Sequence, residues 1–124
     1  MEKVTGIGGF FFRAADPDGL AEWYRANLGI DPVPTTYDEP SWRQEAGPTV
    51  FTAMPEAMDQ FGAPGKVWGI NFRVTDLDAM VAQLTANGTT VAVDPEGYPN
   101  GRFASLADPE GNPIQLWQPA GTDA

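Results

Sequence analysis

Gly69-Ile70-Asn71-Phe72-Arg73-Val74-Thr75-Asp76-Leu77-Asp78 is met twice in this chain. Moved back by sixty positions, it lies over Gly9-Phe10-Phe11-Phe12-Arg13-Ala14-Ala15-Asp16-Pro17-Asp18. Glycine falls on glycine at 9 and 69, and arginine on arginine at 13 and 73. Aspartates coincide at 16/76 and 18/78, and asparagines further on at 27/87. The apolar positions between them match too, Phe10 with Ile70, Phe12 with Phe72 and Leu20 with Met80. A repeat of this length is an architectural feature, in which one supersecondary unit is used twice.

Each copy opens as a strand that runs into a helix. Val4–Ala14 and Lys66–Thr75 are apolar with period-two alternation, the pattern of a strand. Alternation sets Phe10, Phe12 and Ala14 on one face against Gly9, Phe11 and Arg13 on the other. In the second copy Ile70, Phe72 and Val74 oppose Gly69, Asn71 and Arg73. Asp16 and Asp76 are placed to cap the helices that follow, with Pro17 at a first helical position. Gly29 and Gly88 are stop signals.

Three further strands are expected in each half. In the first they are an extended edge at Ile30–Tyr37, carrying Pro32 and Pro34, then Trp42–Glu45 and Thr49–Met54. In the second they are Thr89–Val93, Arg102–Ala107 and Ile114–Gln118, the last two joined by the turn Asp108-Pro109-Glu110-Gly111-Asn112. Pro55–Gly65 is the linker. The expected fold class is α+β, two tandem βαβββ modules with mixed sheets around a shared cleft. They form one domain over 1–124, with module one at 1–60 and module two at 61–124.

Composition narrows the chemistry. Seventeen Asp+Glu against seven Lys+Arg give a net charge of −10, which argues against nucleic acid or an anionic membrane as partner. The 124 residues contain no cysteine and no histidine. Disulfides, thiolate nucleophiles and the commonest metal ligand and general base are therefore excluded. No apolar run is long enough to span a bilayer, and Met1-Glu2-Lys3 leads straight into strand-like sequence. A cytoplasmic location is the expectation.

Three stretches resemble the vicinal oxygen chelate superfamily of glyoxalases, bleomycin-resistance proteins and extradiol dioxygenases. They are Gly9-x-x-Phe12-x-x-x-Asp16-Pro17-x-x-Leu20 with Trp23-Tyr24 and Leu28-Gly29, then Ile70–Ala79, then Asp108–Trp117. The resemblance implies paired βαβββ modules around a cleft, a homodimer, and in metal-dependent members one divalent ion. That ion would be held by the first and last strands of each module. Carried onto this chain, the holding positions are Gly9, Gly69, Gln115 and, in the first module, Phe51. Two lack side chains, one is apolar and one is a neutral amide, whereas a divalent site needs several carboxylate or imidazole donors. The expectation is therefore no metal, no cofactor and no catalytic residue at these positions.

The residues left to read the cleft are Phe11, Arg13, Phe51, Asn71, Arg73, Gln115 and Trp117. The arginines suit a carboxylate, or else pair with the capping aspartates at strand ends. The aromatics suit a planar ligand, or else core and dimer packing. Asn71 and Gln115 face inward on the first and last strands of module two, where buried amides need partners. They bond each other or a ligand. Glu45 is the nearest candidate base on a cleft-facing strand, with a solvated surface carboxylate as its plainer role. The reading is a metal-independent binder of a small molecule, aromatic or cationic. A glyoxalase-like lyase, isomerase or dioxygenase with a relocated metal or acid/base site, and a regulatory module without chemistry, are its alternatives.

Overall fold

A computed structural model describes residues 1–58 and 65–124. Helix α1 spans Pro17–Leu28 and helix α2 spans Leu77–Ala86. Both start as the sequence requires. Asp16 accepts from the Gly19 amide and Asp76 from the Ala79 amide, each at 3.0 Å, filling donors that the first turn leaves free. Gly29 closes α1 in the left-handed region, φ +70°, where a side chain is disfavoured.

Four strands form one sheet: β1 Ile70–Arg73, β2 Ala92–Val93, β3 Gly101–Ala107 and β4 Pro113–Pro119. Their order is β1-β4-β3-β2, with β1 and β4 parallel and the other pairs antiparallel. The turn after β3 is held by Asp108, whose carboxylate takes the amides of Glu110 and Asn112 at 2.9 and 3.0 Å. That turn sets the β3–β4 register.

One face of the sheet carries the core. Leu20 and Tyr24 of α1, Leu77 and Leu84 of α2, Ala104 and Leu106 of β3, and Ile114 and Leu116 of β4 are buried together. Both helices thus lie on the same side of the second-half sheet, and Gln83 Nε2 reaches across to the Asn27 carbonyl at 2.9 Å.

The first half differs from expectation. Val4–Ala14, Ile30–Tyr37, Trp42–Glu45 and Thr49–Met54 carry no strand ladder among the described residues, and all four strands come from the second half. The face assignment of the first segment still stands. Phe10 and Phe12 pack on Trp68, with ring centroids 5.0 and 5.7 Å apart, while Phe11 is 94% exposed. The physical reason lies in partners. β3 and β4 have the Asp108 turn to join them, whereas Ala46-Gly47-Pro48 supplies no such carboxylate, and extended chain without a ladder is not a strand. In the second half, Thr89–Val93 shortens to Ala92–Val93 and Lys66–Thr75 to Ile70–Arg73. Most of the expected linker, from 59 to 64, lies outside the described residues.

Candidate functional site

The face of the sheet turned away from the helices is where the inward set was expected. Alternation along β4 buries Ile114 and Leu116 against the helices and leaves Gln115 exposed on the other side. Register then builds a row across three strands. Asn71 of β1 stands beside Gln115 of β4, and Gln115 beside Ser105 of β3. All three are exposed. Asn71 Nδ2 donates to Gln115 Oε1 at 2.8 Å, so the two amides bond each other.

The next row along holds Arg73, Trp117 and Phe103. Trp117 is only 3% exposed. Its ring stacks parallel to that of Phe103, with centroids 6.2 Å apart and planes at 3°, and its Nε1 donates to the Asn100 carbonyl at 2.8 Å. The indole dipole is therefore already satisfied. Phe103, which meets Tyr98 edge-on at 5.9 Å, is the half-buried member of the pair. Tyr98 in turn donates its hydroxyl to Asp94 Oδ2 at 2.9 Å, and that bond holds its pKa above the usual phenol value.

The seven expected site residues separate. Asn71, Arg73, Gln115 and Trp117 come together on this face. Arg73 does not pair with a helix-capping aspartate: its Nη2 donates to the Glu45 carbonyl at 2.8 Å. It thereby ties the first-half segment at 45–47 to the end of β1. A side chain on Gly47 would occupy the place of the Arg73 guanidinium. Phe11 and Phe51 are 94% and 91% exposed and Arg13 is exposed. Glu45 is exposed and takes part through its backbone carbonyl. Phe103 and Ser105 stand on this face beside them without having been expected there. Their signal was present, because alternation through Arg102–Ala107 puts them on one face once the hairpin register is applied.

A cavity of about 340 Å³ opens at the head of β1, lined by Thr52, Ala53, Met54, Val67, Trp68 and Gly69. That is within the usual size of small-molecule sites, roughly 300–1,000 Å³. Gly69 lies two residues before Asn71 in the same alternation.

The divalent ion that the resemblance implies does not fit this donor set. Gly9 and Gly69 offer no side chain, and Phe51 is apolar. Gln115 Oε1, a neutral oxygen, already accepts from Asn71. Among the described residues no group of three or more His, Cys, Asp or Glu gathers where it could hold a metal.

A second polar cluster is structural. Asp108, 4% exposed, accepts from the Tyr24 hydroxyl and from Asn112 Nδ2, both at 2.7 Å. Burial, and then this bond to Asp108, push the Tyr24 hydroxyl well above its ordinary pKa. Glu110 takes the backbone amides of Ala15 and Asp16 at 2.6 and 3.1 Å. The β3–β4 turn therefore fastens the start and middle of α1 to the sheet.

Comparison with known proteins agrees with this architecture. Residues 9–117 match the family model described as "Glyoxalase-like domain". The anthracycline biosynthesis protein DauV of Streptomyces sp. (strain C5) is 33% identical over 116 residues, which is 88% of this chain and 41% of that protein. The chain thus spans about two fifths of the length of this relative. Among solved structures, TnmS3, an antibiotic binding protein from Streptomyces sp. CB03234, superposes with a TM-score of 0.64 at 24% identity. The match covers 97% of this chain and all of that one, and shows the shared fold. A glyoxalase/bleomycin resistance protein from the same source superposes at 0.51 with 28% identity, over 84% of this chain and 92% of that one.

Proposed function

The chain belongs to the glyoxalase-like domain family of the vicinal oxygen chelate superfamily, and from that premise we propose that it is a metal-independent small-molecule-binding protein. The observation that carries this reading is the bond between Asn71 and Gln115. At the position where metal-dependent members place a carboxylate, this chain has an amide engaged with a neighbouring amide. Such a group neither grips a divalent ion nor takes a proton from a substrate. What it can do is offer hydrogen bonds to a neutral ligand.

The binding surface is Asn71, Gln115 and Arg73, with Trp117 giving rigidity beside the half-buried Phe103 ring. Phe11, Arg13 and Phe51 join it from the first half. Their exposure supports a role outside the core, and the ligand is an aromatic or cationic molecule suited to an acidic protein. The likeness to a glyoxalase/bleomycin resistance protein at 28% identity supports the same class. Module one, at 1–60, closes the cleft from the other side. In a homodimer a partner copy covers its exposed apolar residues, Val4 at 88% and Phe51 at 91% among them. No described helix is long and apolar enough to cross a membrane, and the reading keeps the protein in the cytoplasm.

A second reading is favoured by one observation, that DauV is described as a biosynthesis protein. On it, the chain is a lyase, isomerase or dioxygenase with a relocated metal or acid/base site. Metal analysis of protein purified without chelator separates the two. Less than about a tenth of an equivalent of Ni, Zn, Fe or Mn supports the binder, while a stoichiometric ion at this face supports the enzyme. A thermal-shift screen with planar aromatic compounds then tests binding, since a ligand of the native state raises the midpoint by mass action. No shift across a broad panel rejects the binding reading.

A further inference from the structure

The amide pair on the open face is half used. Asn71 has one carbonyl oxygen and two N–H donors, and so does Gln115. The single bond between them, Asn71 Nδ2 to Gln115 Oε1, consumes one donor and one acceptor. The reciprocal bond, from Gln115 Nε2 to Asn71 Oδ1, is not made, and neither of those atoms has another protein partner among the described residues. An acceptor on β1 and a donor on β4 are therefore left free on neighbouring strands, about 5 Å apart. Ser105 continues the row on β3. Its hydroxyl both donates and accepts, so it adds a contact without adding discrimination.

Beside this row lies an aromatic floor. Phe103 is two residues from Ser105 along β3 and on the same face, roughly 7 Å away. Its ring lies parallel to that of the buried Trp117, with centroids 6.2 Å apart, and Trp117 is locked by Asn100. The Phe103–Trp117 pair borders the row that holds Ser105, Gln115 and Asn71, and a planar ligand on that row meets its aromatic edge.

We propose that this face selects planar ligands that carry a hydrogen-bond donor and an acceptor next to each other on one edge, as in a cis-amide or lactam. The ligand N–H bonds Asn71 Oδ1 and the ligand C=O accepts from Gln115 Nε2. The specificity follows from chemistry that rejects an analogue lacking one of the two groups, because the site's own donor or acceptor is then left without a partner. The inference rests on the binding reading above and adds the chemical class of the ligand's polar edge.

The test compares three flat bicyclic probes: carbostyril, which is a lactam, its N-methyl derivative, which has lost the donor, and naphthalene, which has neither group. Binding is followed by titration calorimetry, with the side-chain amide resonances of Asn71 and Gln115 as a local readout. Carbostyril binds the wild-type protein about tenfold or more tighter than N-methylcarbostyril, on the order of one good hydrogen bond, and moves both amide resonances. In Asn71→Leu and Gln115→Leu the preference falls below about twofold. Both variants change exposed positions, and circular dichroism checks their folding. Equal binding of the three probes, or a preference that survives both substitutions, overturns the inference and leaves the binding reading intact. Absence of binding by all three to the folded protein overturns both.

Discussion

Asn27 and Asn87, sixty residues apart in the chain, hydrogen-bond to each other, Asn87 Nδ2 donating to Asn27 Oδ1 at 3.1 Å. They occupy the same place in the sequence repeat, at the C-terminal end of each helix, Asn27 as the last residue but one of α1 and Asn87 as the C-cap of α2. Equivalent helix ends of the sequence repeat thus meet in space. Asn27, 6% exposed, also donates to the Trp23 carbonyl at 3.0 Å, so it is bound on both sides.

This contact is expected to be energetically real. Asn27→Ala removes a buried side chain with two bonds and should cost about 1–3 kcal/mol, while the exposed Asn87→Ala should cost about 1 kcal/mol or less. The double variant should lose less than the sum of the two, with a coupling of roughly 0.5–1 kcal/mol. Urea unfolding of the four proteins measures the cycle, and strict additivity would show that the pair contributes nothing.

Tyr24 and Asp108 give the fold an alkaline limit. The folded Tyr24 hydroxyl is pushed up by burial and then by its bond to Asp108, whereas an unfolded tyrosine ionises at about pH 10. Above that pH the unfolded chain releases a proton that the folded chain retains. Folded protein then binds more protons, and stability falls as pH rises. The contribution is complete below about pH 10 and is lost on going up towards the higher folded value. Tyr24→Phe should lower stability at neutral pH by about 1–2 kcal/mol, by taking a donor from buried Asp108. It should also flatten the decline above about pH 10. Unfolding midpoints across that range in both proteins check the sign.

Gly47 and Arg73 form a lock of the opposite kind, in which a missing side chain admits a present one. Gly47→Ala would displace the Arg73 guanidinium and break its bond to the Glu45 carbonyl. Since the arginine is flexible, the cost should be modest, about 0.5–1.5 kcal/mol. Gly47→Ala and Arg73→Met should be non-additive, because each removes the same contact. Proteolysis should cut the 45–47 segment faster in either variant.

Chelation should leave this protein unchanged. With no competent donor set at Gly9, Gly69, Gln115 and Phe51, millimolar EDTA should move the thermal midpoint by less than about 1 °C, since removing a ligand that does not bind shifts no equilibrium. A drop of several degrees, restored by one divalent metal, would revive the enzyme reading.

The helices and their caps could be read from sequence because their causes are local. Asp16 and Asp76 reach amides three residues on, and Gly29 needs only its own φ. The Asp108 turn and the strands around it could be read for the same reason, since its carboxylate closes on neighbours two and four residues away. Face assignment also followed from sequence, because alternation alone sets Ile114 and Leu116 against Gln115. The residue types at Gly9, Gly69 and Gln115 likewise spoke for themselves, since a missing imidazole or carboxylate is missing in any fold.

The tertiary structure decided what depends on partners distant in sequence. The bond between Asn71 and Gln115 depends on a parallel register between positions 44 residues apart. Arg73 found a backbone carbonyl in place of a carboxylate because the first-half corner at 45–47 reaches it. Asp108, in sequence a turn residue, became a buried acceptor because α1 delivers Tyr24 to it across 84 positions. The first-half segments have the alternation of strands, but alternation supplies a face and not a ladder. A strand exists only where another backbone meets its amides and carbonyls, and that meeting is a property of the assembled chain.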